Sequence, residues 1–207
     1  MITDPLMLLL SVPGLLLALT FHELAHGYVA DALGDPTPRA SGRLSLNPIA
    51  HLDLVGTLML LLFRFGWAKP VPINPMYFRD RDRGLLLTGL AGPLSNVFMA
   101  CIAMYFLLQF PALRFSTAGT MVSFFFLYNI WLAVFNMLPI PPLDGSRVLS
   151  ALIPLRSPFR RILYQVEQYG WLILMLLVLT RLISVFMLPA AAALERLIIL
   201  IVSPLVM

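Results

Sequence analysis

Charge is scarce in this chain, and histidine and cysteine are scarcer still. Charged residues make up 12% of the 207, about half the share in a soluble domain, while apolar residues reach 60% and mean hydropathy is +0.90. That balance excludes an ordinary soluble domain and indicates an integral membrane protein. The single cysteine, Cys101, excludes an intrachain disulfide and, inside an apolar run, reads as a small buried hydrophobe. There is no internal repeat and no low-complexity tract. Met1-Ile2-Thr3-Asp4 lacks the basic region of a cleavable signal, so the first apolar run is expected to remain as a span. The net charge of +4 does not point to nucleic acid, because the basic residues fall in loops between apolar runs, as membrane topology requires.

Of three histidines, two stand four residues apart in Leu19-Thr20-Phe21-His22-Glu23-Leu24-Ala25-His26-Gly27, at the end of an uncharged run from Leu6. Positions i and i+4 share a helix face, so His22 and His26 can reach one metal ion. Glu23 lies about 100° further round, within reach of a water beside that metal. An ionisable side chain in a membrane helix is unfavourable by about 2.5–3.5 kcal/mol on insertion scales. Three on one turn point to a metal site in preference to packed core histidines.

Taken in order, the runs predict an all-α polytopic membrane protein with about five spans, forming a single domain over residues 1–207. Pro5 to Asp31 is the first span. Arg39 to Asn47 alternates and contains Gly42, which predicts a small membrane-associated β-strand region. Leu54 to Phe65 is apolar but too short to cross, so it is expected to be re-entrant or interfacial. The prolines of Lys69-Pro70-Val71-Pro72-Ile73-Asn74-Pro75 exclude a helix and suggest irregular backbone lining a watery cavity. Leu85 to Phe110, Thr117 to Leu138 and Trp171 to Leu188 are further spans. Pro189 is expected to separate the last of these from Ala190 to Met207, a final span or an interfacial helix.

Small residues in Gly89-Leu90-Ala91-Gly92-Pro93-Leu94-Ser95-Asn96 allow close helix approach, and Asn96 needs a partner, as structural glue or in holding substrate. The span from Thr117 ends in Asn136-Met137-Leu138-Pro139-Ile140-Pro141-Pro142-Leu143-Asp144-Gly145, a strong turn signal. Two histidines need a third protein ligand, and Asp144 is the carboxylate that follows directly on an apolar span. With His22 to His26 near the cytosolic end of the first span, eleven of the fourteen Lys and Arg fall on the cytosolic side. Asp144 falls on that side too.

At this point the chain resembles the site-2 proteases, a family of intramembrane zinc metalloproteases. The likeness rests on Phe21 to Gly27, on Ala91 to Asn96, on Asn136 to Gly145 and on the Lys69 to Pro75 loop. It implies one Zn2+ per chain held by His22, His26 and Asp144, with Glu23 as general base. It also implies a short-strand region that pairs with an unwound substrate, and roles for Asn136 and Asn96 in holding substrate or the developing oxyanion. The partners implied are a bilayer and a single-span membrane protein or signal peptide. Many relatives carry an earlier span or a PDZ domain, for which this chain is expected to have no room. The rival readings are a metal transporter or other non-proteolytic metal-binding membrane protein, and a silent member that binds membrane helices. Neither gives a reason for a non-ligand Glu23.

Overall fold

The apolar run near the amino terminus folds as one helix, α1 (Pro5–Ala32), whose first turn is capped by Asp4 accepting the Leu6 N–H at 2.9 Å. The structure, a computed structural model, describes residues 4–63 and 66–206; the readings placed on Met1 to Thr3, Arg64, Phe65 and Met207 lie outside them. Pro13 does not interrupt α1. In an apolar environment the neighbouring backbone has no better partner than the helix itself.

Residues 39–47 do not form the expected strand region. A short helix, α2 (Thr37–Ala40), begins the segment, a turn follows at Ser41 and Gly42, and no strand occurs among the described residues. The nearest thing is an isolated antiparallel bridge between Leu52 and Ala68. Side chains take the backbone groups that a ladder would use. Arg43 donates to the carbonyls of Ala50, Lys69 and Pro70, and Asn47 accepts the Ile49 N–H. The next helix, α3 (Leu54–Phe63), has ten residues and is too short to cross a bilayer.

Asp80 caps α4 (Arg81–Gln109), accepting the Arg83 N–H at 3.0 Å, and Ser116 caps α5 (Thr117–Asn136) in the same way. After the proline turn come α6 (Asp144–Leu152), α7 (Pro158–Glu167), α8 (Gly170–Leu179) and α9 (Leu182–Val202). The centre is α4, which packs on α1, α5, α6 and α9. Ala100, Ala103, Met104 and Leu107 of α4 meet Phe126 and Ile130 of α5 and Ala191, Ile198 and Val202 of α9. Helices α1 and α5 touch closely at Gly14, where an added Cβ would stand 2.8 Å from the Phe125 nitrogen.

Among the described residues four stretches are long and apolar enough to cross a membrane: Pro5–Ala32, Arg81–Gln109, Thr117–Asn136 and Leu182–Leu205. The pair α7 and α8, bent by 71°, makes a fifth if counted as one broken span. The expected span from Trp171 to Leu188 is corrected here. It is broken at Arg181, which adopts a left-handed φ of 58°, whereas Pro189 lies inside α9 without ending it. Ala190 and Leu194 of α9 line the same apolar cleft as Leu90 and Pro93 of α4 and Met137 beyond α5. The start of α9 therefore lies at the histidine end of the bundle, and α9 runs the same way as α4.

Candidate active site

His22 and His26 lie on the inward face of α1, each 4% exposed. The helix opposite them carries Gly92, where a Cβ would fall 2.4 Å from His26 Nε2 and 2.7 Å from His22 Nε2. Only glycine lets α4 pass so close to both rings. The proline turn after α5 delivers Asp144 to the same point, at the first position of α6. His22 Nε2 and His26 Nε2 are 3.0 Å apart, and Asp144 Oδ2 lies 3.2 Å from the first and 3.0 Å from the second.

The outer nitrogens decide what those inner atoms are. His26 Nδ1 faces the Thr88 carbonyl at 2.7 Å, which can only accept, so Nδ1 carries the proton. His22 Nδ1 faces Asn96 Oδ1 at 2.6 Å, and the Asn96 amide is oriented by donating to Ala18 O at 3.1 Å and Asn129 Oδ1 at 2.8 Å. With both protons assigned to Nδ1 by these partners, both Nε2 atoms present lone pairs. Two imidazole lone pairs and a carboxylate oxygen thus converge in a buried position. Their mutual repulsion is relieved by a cation, and the donor set of two nitrogens and one oxygen suits zinc.

Glu23 follows His22 at the edge of the cluster, and its Oε2 accepts the Val71 N–H at 2.9 Å. The cavity in front has a volume of about 110 Å³, walled by His22, His26, Glu23, Asp144, Asn136 and Arg147 and by Pro70, Val71 and Ile73 of the proline-rich segment. Asn136 faces the cavity and at present donates to Leu132 O at 3.1 Å. Asn96 does not reach it. It is fully buried behind His22, and its donors and acceptor are spent on His22, Ala18 and Asn129.

Three participants had no motif to reveal them. Asn129 was visible only as a polar residue inside an apolar span. Thr88 contributes its backbone carbonyl, which has no residue-type signal. Arg147 lies one turn after Asp144, with its Nη1 3.8 Å from Asp144 Oδ1.

Comparison with known proteins identifies the family. Residues 111–180 match the model of peptidase family M50. YwhC of Bacillus subtilis strain 168 is 40% identical over 182 residues, covering 84% of this chain and 82% of that protein. The chain belongs to peptidase family M50. Rip2 of Mycolicibacterium smegmatis is 29% identical over 181 residues, covering 83% of this chain and 67% of Rip2. MJ0611 of Methanocaldococcus jannaschii is 34% identical over 132 residues, 63% of each chain. All three bear names that describe them as candidate zinc metalloproteases. No significant match to a solved structure was found. As an M50 member this chain is a multi-pass membrane zinc metalloprotease, in agreement with the site-2 protease resemblance of its sequence.

Proposed function

We propose that this M50 protein hydrolyses a peptide bond within or near the spanning segment of a membrane-anchored substrate. His22, His26 and Asp144 hold one zinc ion per chain, and Glu23 is the general base. The observation that carries the reading is the convergence of two Nε2 lone pairs and Asp144 Oδ2 in a buried site beside Glu23. Three protein donors leave a fourth position open, as a hydrolytic site needs.

Bound there, zinc is a Lewis acid that acidifies water and polarises a carbonyl. Asn96 and the Thr88 carbonyl fix the two imidazoles in the tautomer that points Nε2 inward. Glu23 takes a proton from the attacking water and passes it to the leaving amine. The Asn136 amide, on the cavity wall, turns from Leu132 O to donate to the oxyanion as it develops.

A peptide bond inside a helix is shielded by its own hydrogen bonds, so the substrate enters unwound, and the small cavity beside Glu23 supports that reading. A single-span protein or a remnant signal peptide supplies such a segment. The site faces the cytosolic side, a placement supported by the excess of Lys and Arg in the loops at the histidine end. Residues 1–207 act as one protease domain.

Glu23→Gln tests the reading. It keeps shape and polarity but cannot accept a proton at neutral pH. Zinc per chain stays near wild type, and cleavage of a single-span substrate in liposomes falls by roughly 10²–10⁴-fold. Cleavage at the wild-type rate with zinc bound overturns Glu23 as base.

A further inference from the structure

The carboxylate of Glu23 is tethered. Among the described residues its one hydrogen bond is with the backbone N–H of Val71, 48 residues away in sequence, at 2.9 Å. Val71 lies between Pro70 and Pro72, neither of which has an N–H, so its amide is the only donor in that stretch. Proline on both sides also restricts the backbone to extended conformations.

The segment is anchored more firmly than a surface linker requires. The Lys69 N–H donates to His51 O at 2.9 Å, and the Asn74 N–H donates to the buried Asp35 carboxylate at 2.6 Å. Between these two ties, the guanidinium of Arg43, only 6% exposed, holds the carbonyls of Lys69 at 3.4 Å and Pro70 at 3.2 Å. Val71 itself is 6% exposed. A buried arginine spending its donors on two successive carbonyls fixes where the next amide points.

A glutamate has two methylenes and three side-chain torsions, so an untethered carboxylate spreads over many positions. Fixing Oε2 leaves Oε1 as the oxygen free to meet water. Misplacing a reacting group by about 1 Å can cost on the order of 10²-fold in rate.

We propose that the backbone amide of Val71 is the positioning group for the general base, and that Arg43 acts through it by fixing residues 69–71. The inference rests on the reading of Glu23 as base, and the test separates the two.

Cleavage of a single-span substrate is measured as kcat and KM, with zinc per chain, for wild type, Val71→Ala, Val71→Pro and Glu23→Gln. Proline suits the extended backbone and removes the N–H, whereas alanine keeps it. The expected result is a kcat for Val71→Pro about 10- to 100-fold below that of Val71→Ala, with KM and zinc alike in the two. Arg43→Ala shifts kcat in the same direction. If Val71→Pro loses its zinc, replacing the residue by its α-hydroxy acid, which exchanges only N–H for O, is expected to give the same fall in kcat. Equal kcat in the N–H-bearing and N–H-lacking chains while Glu23→Gln is inactive overturns the positioning role alone. Wild-type cleavage by Glu23→Gln removes the general base and this inference with it.

Discussion

Arg160 meets Asp82 across 78 residues of sequence, with Nη1 2.9 Å from Oδ2 and Nη2 2.5 Å from Oδ1. The guanidinium side chain is 1% exposed and the carboxylate 30%, and Arg160 also donates to Ile153 O. The pair ties α7 to the first turn of α4, near the end of the bundle that holds the histidines. Asp82→Ala leaves a buried cation without its partner and is expected to destabilise the fold by about 1–3 kcal/mol, read as a lower unfolding temperature in detergent. Adding Arg160→Met removes the stranded charge and restores part of the loss. A double variant no more stable than Asp82→Ala would show that the pair is not what joins these helices.

Asp144 is expected to be the third zinc ligand. Asp144→Ala leaves two nitrogens, too few for a closed hold, and elemental analysis should find most of the zinc gone. Full zinc occupancy in that variant would exclude Asp144 as a ligand.

The amide chain behind His22 predicts graded effects. Asn96→Ala frees His22 to rotate and to change tautomer, and should weaken zinc retention against a chelator by about 10- to 100-fold. Asn129→Ala, one step further back, removes the acceptor at 2.8 Å that orients Asn96 and should weaken retention less. A larger effect at Asn129 than at Asn96 would mean that the chain acts on helix packing and not on the ligand.

Topology can be read by labelling. In a Cys101→Ala background, single cysteines at the exposed positions Arg81 and Arg156 should react from the cytosolic side, and one at Thr117 from the other. Because the start of α9 lies at the histidine end, Thr180→Cys is expected to group with Arg81. Labelling of Thr180 together with Thr117 would show that α7 and α8 cross as one broken span.

The chemistry was more legible in the sequence than the connections. His22, Glu23, His26 and Asp144 stood out because ionisable groups beside apolar runs need a reason, and two of them, His26 and Asp144, meet at 3.0 Å across 118 residues. Residues 39–47 misled because their alternation places Arg43 inward to bind carbonyls, and a buried arginine is not a feature that periodicity distinguishes from a strand face. Pro189 misled because proline ends helices in water but is tolerated where the surroundings are apolar. The real break is Arg181 at φ 58°, a setting arginine rarely takes, so its residue type gave no warning. The tether from Val71 to Glu23 runs through a backbone amide, which no residue-type pattern can display.

Asn129 and Asn136 are seven residues apart on α5, close to two full turns, and so share a face of one rod. The first braces the amide that holds His22, and the second stands on the cavity wall. Turning or sliding α5 to widen the cavity would slacken the brace in the same movement. Breadth of substrate and firmness of metal binding are therefore mechanically linked in this protein, and a variant that gains one through α5 is expected to give up some of the other.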